Sequence, residues 1–380
     1  MKENIYRKPR LAIISDTAMY IRSNVFIFEP VLREISYFSH LFTNIIWLGF
    51  GHQKPSPKNT EKEIPDNLEL FTVKPCGGNT YVKKMGIIFF VPYYTHKIIQ
   101  LIKKSDIIHT RGPSIPALLT ILISFFYPKK KYWHKYAGNW QIDSKTLSYR
   151  IQRWLLMKKI PGKVIVSNRN KLDSQHILSW PNPCLTEKEI SFNKQCGLNK
   201  KFDGKLIFCF VGRLEESKGF HVLLDAFSNL ENIGWISKLH CVGKGSESEK
   251  YEKITQKNNI SIIFHSILSR QELNQIYKES HFIILPSQSE GFPKVLAEAS
   301  SFGCIPIISP ISSITNYINE TESNGIVLKN LSSNEIIETI MRLDQDRHHL
   351  KNIAVNAINT ARGFTYERYN KKIKKQFICD

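Results

Sequence analysis

The chain has 380 residues, 42% of them hydrophobic, and a formal net charge of +20, which is enough for two domains with real cores and too apolar for a disordered chain. Seven cysteines occur without a C-x-x-C pair, which argues against a disulfide framework and against a zinc site and fits the cytosol. The opening "MKENIYRKPRLAIISD" has no apolar core of signal length, so export is not expected.

Charge is unevenly placed. Residues 1–201 hold 32 of the 53 Lys and Arg but 13 of the 33 Asp and Glu, so nearly all the excess lies in the first half. Nucleic acid, anionic lipid headgroups and a plain solvated lysine-rich surface are the readings this leaves open.

In chain order, β-branched apolar runs alternate with amphipathic segments, the pattern of an α/β sheet. The first block gives strands at 10–16, 44–50, 68–73, 106–111, 131–137 and 163–168; the second gives them at 205–212, 238–243, 260–266, 281–287, 304–309 and 325–329. The longest apolar run, Ile115 to Pro128, is shorter than the roughly 18–20 residues a membrane crossing needs. It reads as a buried helix, the alternative being a segment that touches a bilayer. Residues 179–204, rich in Pro, Asn and Lys, read as linker and hinge. No period of about 20–50 residues recurs, which excludes a solenoid.

Two doubly wound domains therefore make up the expectation, with ligands beyond the carboxyl ends of the strands, where helix N-termini present N–H groups. Three loops fit that place. In "FVGRLEESKGFHVLL" a strand ends at Gly212, and Arg213 and Lys218 precede a helix. Cations there oppose the helix dipole unless an anion lies between them, so a phosphate or diphosphate would reconcile them; pairing with Glu215 and Glu216 is the plain alternative. In "CVGKGSESEK" Gly243 and Gly245 allow close backbone approach, or make an ordinary tight turn.

In "LPSQSEGFPKVLAEASSFG" a buried strand leads to Glu290, Pro293 suits the first turn of a helix, and Glu298 lies inside that helix, about two turns on from Glu290. Backbone N–H groups of Phe292, Lys294 and Val295 would lie between the two acids. Carboxylates at either end for hydroxyls, with donors between them for phosphate, match the layout of a nucleotide sugar. Alternatively Glu290 only complements the dipole and Glu298 is only an exposed helix residue.

Taken together, in this order and about 70 residues apart, the first and last of these loops resemble the donor half of retaining family-4 glycosyltransferases with the GT-B fold. Glu290 and Glu298 match that family's E-x7-E motif, and Gly212, Arg213, Leu214, Lys218 and Gly219 match its upstream G-R-L…K-G. Residues 324–343 and 364–377 resemble its closing elements; coverage is good over 205–380, and the first half is similar only in outline.

The resemblance implies an α/β GT-B fold, two Rossmann-like domains facing across a cleft: an acceptor-binding domain over 1–180, a linker over 181–204, a nucleotide-sugar-binding domain over 205–362 and a helix over 363–380 packing back on the first domain. It implies that Arg213 and Lys218 bind the donor diphosphate and offset leaving-group charge, that Glu290 holds the transferred sugar and Glu298 the ribose, and that the backbone from Gly291 through Phe292, Pro293 and Lys294 to Val295 completes the cradle. No metal and no cofactor are expected, because cationic side chains replace the metal. The implied reaction retains configuration by same-face displacement, with no covalent carboxylate to seek.

On the acceptor side, Gly138 and Asn139 occupy the place where the family shows a histidine and His134 lies earlier; His109, at a strand end, could reach the cleft instead, although a lone histidine in such a place is more often structural. The segment "SDTAMYIRSN", read as a loop, lacks the Gly-Gly turn common in members of the family it resembles. The expected protein moves a sugar from a nucleotide-diphosphate donor to a glycan acceptor, lipid-linked on a polyprenyl diphosphate, in capsule, O-antigen or other surface polysaccharide synthesis. Its basic first domain would lie against the inner face of an anionic membrane. A nucleotide-sugar epimerase of the same fold is the alternative; nucleic-acid binding has no recognisable module to support it.

Overall fold

The computed structural model describes residues 7–57, 60–61, 63–76, 86–141, 146–170, 172–230, 234–245 and 260–379. It divides into two compact units, Met1–Pro181 with Arg368–Asp380, and Asn182–Glu367.

In the first unit, strands β1 (Leu11–Ile21), β3 (Ile45–His52), β5 (Leu68–Val73), β6 (Ile107–Gly112), β7 (Lys131–Tyr136), β8 (Lys163–Val166) and β9 (Ile177–Ser179) form a parallel sheet. Their order is β5-β3-β1-β6-β7-β8-β9, with the short β2 (Val25–Phe28) and β4 (Thr60–Glu61) added antiparallel at the end of β1. Beside them lie α1 (Glu29–Ser39), α2 (Ile87–Lys104), α3 (Ile115–Ser124) and α4 (Leu147–Met157). Helix α3 starts where the Ser114 side chain accepts from the Ala117 N–H, a cap worth about 1 kcal/mol. The six strands expected in this half are all present. The segment "SDTAMYIRSN" is strand rather than loop for most of its length, because β1 resumes pairing after a bulge between Ile14 and Ala18.

The second unit opens with α5 (Glu187–Leu198). This helix lies inside the segment expected to be linker; its signal is local, a capping box between Thr186 and Glu189, and its low amphipathicity hid it from a search for periodicity. Then follow β10 (Leu206–Val211), α6 (Phe220–Ser228), β11 (Ile236–Val242), β12 (Ser261–His265), α7 (Arg270–Glu279), β13 (Phe282–Leu285), α8 (Lys294–Ser301), β14 (Ile305–Ile308), α9 (Ser312–Thr315), β15 (Ile326–Val327), α10 (Ser333–Gln345) and α11 (Leu350–Ala361). The chain ends in α12 (Tyr366–Ile373) and one π turn, Lys374–Ile378.

All six strands of this unit are parallel, in the order β12-β11-β10-β13-β14-β15. Parallel strands covered on both faces are continuously apolar, and β13 and β14 are buried at every residue. The chain winds outward from β10 through β11 to β12, then returns to the other side of β10 for β13. Ligands bind in sheets of this kind beyond the strand ends where the order reverses, here between β10 and β13.

Candidate active site

The loops that leave β10 and β13 meet at that reversal. After Val211 the chain runs through Gly212 and Arg213 to a single 3-10 turn, Glu216–Lys218, and enters α6 at Gly219, whose φ is +65°. A β-carbon on Gly219 would lie 1.8 Å from the Pro286 carbonyl oxygen, so only glycine lets this loop touch the one after β13. The Gln288 N–H donates to the Ser217 carbonyl at 3.0 Å and ties the two together.

The third loop, after β11, is held as closely. Gly243 has φ +143°, and a β-carbon there would lie 1.8 Å from the Gly212 carbonyl oxygen; at Gly245 it would lie 1.9 Å from that of Leu214. Both glycines are therefore required by packing of one loop on another, a stronger condition than the tight turn. Gly212 itself has an ordinary neighbourhood, its nearest contact being the Phe210 ring at 3.4 Å. The rest of the stretch, from residue 246, lies outside the described residues.

Lys218 forms an ion pair with Glu290, and the Ser287 hydroxyl donates to the same carboxylate oxygen at 2.9 Å. Both side chains are largely enclosed, 18% and 11% exposed. Arg213 instead is 66% exposed and pairs with Glu215 at 2.9 Å. The plain alternative thus holds for Arg213, while Lys218 takes Glu290 rather than Glu216.

Helix α8 starts at Lys294 with Pro293 as its N-cap, φ −76° and ψ 111°, a proline serving where the helix needs no N–H. Phe292 stacks on Phe364, centroids 4.3 Å apart, and meets the Tyr317 ring edge-on. Its side chain therefore anchors the loop in the core, leaving only its backbone for a ligand. Gly291, Pro293, Lys294 and Val295 are half-buried along the first turn, where backbone N–H groups have no partner within the helix. Glu298 sits about one turn further along α8, with Arg270 Nη1 3.7 Å from its carboxylate.

Arg270 was not among the expected residues. It is the first residue of α7, a cation facing the positive end of a helix dipole. The argument that singled out Arg213 and Lys218 applies equally to "SRQEL", whose Ser269–Glu272 capping box marks the helix start.

In the first unit the expected residues fare differently. His109 is fully buried, stacked on Trp133 at 3.7 Å with Nδ1 3.0 Å from the Trp133 carbonyl. Burial, then the charge of Arg111, holds its pKa well below the ordinary histidine value. Of the two readings the sequence left for it, the structural one fits: the imidazole belongs to the core. His134 is buried too, between Thr110 Oγ1 at 3.0 Å and the Pro161 carbonyl at 3.2 Å, and burial lowers its pKa to about 4. Asn139 turns its side-chain oxygen to the Gln141 N–H at 3.0 Å, an Asx turn, and Gly138 packs against the Tyr136 ring.

Two groups in this unit were missed. Asp16 lies in the β1 bulge beside the reversal between β1 and β6, and desolvation raises its pKa. Glu34 is 1% exposed and receives both Arg111, at 2.8 Å, and Lys135, at 2.6 Å. No periodicity brings α1, β6 and β7 together, so nothing in the sequence announces that cluster.

Comparison with known proteins finds a family likeness in the second unit and a fold for the chain. Residues 193–360 match the model of the glycosyl transferases group 1, the stretch that contains all three loops. The fold is GT-B: sucrose-phosphate synthase of Thermosynechococcus elongatus superposes with a TM-score of 0.72 at 16% identity, covering 97% of this chain and 98% of that one. The Anabaena HepE structure with UDP-glucose superposes at 0.67 and 15% identity, over 97% and 98%.

Among sequence relatives, an uncharacterized glycosyltransferase of Methanocaldococcus jannaschii is 26% identical over 48% of this chain and 51% of its own length. The lipopolysaccharide 1,2-N-acetylglucosaminetransferase of Salmonella typhimurium is 24% identical over 45% and 47%. The chain thus spans about half the length of the relatives it matches.

Proposed function

We propose that the protein transfers a sugar from a nucleotide-diphosphate donor to a glycan acceptor, with retention of configuration, in synthesis of a surface polysaccharide. The observation that carries this is the Lys218–Glu290 ion pair, fixed by Ser287 where the strand order reverses and next to the first turn of α8. It sets a cation, a carboxylate and backbone donors within one small loop cluster, as a donor with hydroxyls and a diphosphate requires. In this reading the sugar hydroxyls take Glu290, the ribose takes Glu298, and Lys218 with Arg213 balances charge growing on the leaving diphosphate, so that no metal is needed. Gly243, Gly245 and the residues from Gly291 to Val295 bring backbone to the phosphates.

The group 1 match and the UDP-glucose held by HepE support a nucleotide-sugar donor, and the Salmonella relative supports a surface glycan as product. The E-x7-E spacing and same-face chemistry are the finer parts of the proposal, as is a lipid-linked acceptor held by the basic first unit. His109 and His134 have no part in it, since both are sealed in the core.

A thermal-shift screen against UDP-, GDP- and ADP-sugars tests the donor site. A ligand at 100 times its Kd stabilises by about 2.7 kcal/mol, and absence of any stabilisation across the panel would overturn the reading. Proton NMR of the new anomeric bond then decides retention.

A further inference from the structure

We infer that the outer face of α4, continued by the end of α3, docks on an anionic lipid bilayer. Helix α4 turns inward Gln152 and Leu156 and outward Leu147, Ile151, Trp154 and Met157, which are 66%, 42%, 56% and 41% exposed. Spacings of four, three and three residues put these on one side of the helix. A surface helix ordinarily shows water its polar side; this one shows it an apolar stripe, flanked by exposed Arg150 and by Lys158, whose ammonium lies 5.3 Å from the Trp154 ring.

Helix α3 packs against α4 and against α2. Its run was expected to be buried, yet Leu122, Phe125 and Phe126 are 43%, 47% and 82% exposed at its end, just before Lys129, Lys130 and Lys131. The three helices with these flanks, residues 87–104, 115–131 and 147–159, carry ten Lys and Arg and no Asp or Glu. Apolar groups ringed by cations, with no acid among them, complement a surface of acyl chains under anionic headgroups. Nucleic acid would match the charge but leaves Leu122, Leu147 and Ile151 without a partner, and a protein partner would ask for some acids in return. Among the described residues no helix is long and apolar enough to cross a membrane, so this surface lies on the bilayer rather than in it. The inference deepens the lipid-linked reading above and rests on it for its purpose; the binding can be measured without any sugar transfer.

The experiment is co-sedimentation of the full chain with phosphatidylglycerol/phosphatidylcholine vesicles and with phosphatidylcholine alone. Binding is expected only with the anionic lipid, and should fall about fivefold for each Lys or Arg neutralised, hence roughly 25-fold for Arg150→Gln with Lys158→Gln. Leu147→Ser, Ile151→Ser and Trp154→Ser together should abolish binding while circular dichroism and nucleotide-induced stabilisation stay as in the parent, which separates failure here from failure of the donor site. Brominated phosphatidylglycerol should quench Trp154 fluorescence, an effect lost in Trp154→Phe although that variant still sediments. Equal binding to neutral vesicles, binding unaffected by the triple substitution, or salt-sensitive binding to RNA in place of vesicles overturns the proposal.

Discussion

Lys218 and Glu290, 72 residues apart in sequence, join the loop after β10 to the loop after β13 through a partly buried ion pair. Removing the lysine leaves an enclosed carboxylate, beside the Ser287 hydroxyl, without the cation that balances it. Lys218→Ala should therefore cost about 1–3 kcal/mol in urea unfolding, and the double variant with Glu290→Ala should recover part of that loss. Because the same cation is assigned to the leaving diphosphate, sugar transfer by Lys218→Ala should fall by about 10²–10³. Transfer at parental rates would remove Lys218 from the chemistry.

Arg213 meets Glu215 in open solvent, where an ion pair contributes ~1 kcal/mol at most. Glu215→Gln should leave stability unchanged and nucleotide affinity equal or better, since the arginine gives up a competitor. Arg213→Ala should weaken UDP or GDP binding by roughly 10–100-fold, and Arg213→Lys should restore only part, lacking the planar fork. Isothermal titration of the three variants settles the order.

The glycines at loop contacts make a graded test. Gly219→Ala, Gly243→Ala and Gly245→Ala each drive a β-carbon to within 2 Å of a backbone oxygen and should lower stability by more than ~1 kcal/mol. Gly212→Ala meets only the edge of Phe210 and should be tolerated. Equal melting temperatures for all four would show that the loops pack otherwise.

Acid sensitivity should come from buried histidines in both units, and His134 of the first unit isolates one of them. His134 is lowered to about 4 by burial, against about 6.5 in the unfolded chain. Between these values the unfolded state binds the proton and the native state does not, so stability present above pH 6.5 is lost as pH falls toward 4. From pH 7 to pH 5 the loss from this one group is about 2 kcal/mol. His134→Gln should flatten that limb of a urea-midpoint profile, even if it lowers the midpoint at pH 7; an unchanged slope would show the histidine already protonated or exposed.

Twelve strands could be read from apolar runs because buried parallel strands are apolar on both faces, and β13 with its neighbour β14 needs no partner to be recognised. Among the described residues, three others escaped. β2, β4 and β9 have four, two and three residues, too few for any period to appear. The helix at 187–198 escaped because only its cap, Thr186 with Glu189, carries the signal.

What the sequence determined by itself is local: the strand runs, the glycines, the proline at the head of α8, and the order of charged residues in the loops that follow β10 and β13. Which charge meets which was decided in three dimensions. Glu215 and Glu216 are both near Lys218 in sequence, yet the lysine takes Glu290, because strand order puts β13 beside β10 and Gly219 lets their loops touch. His109 and Trp133 lie on neighbouring strands in facing register, so stacking rather than solvent claims the imidazole. Periodicity describes one element at a time; partners across a sheet follow from topology, which depends on every element at once.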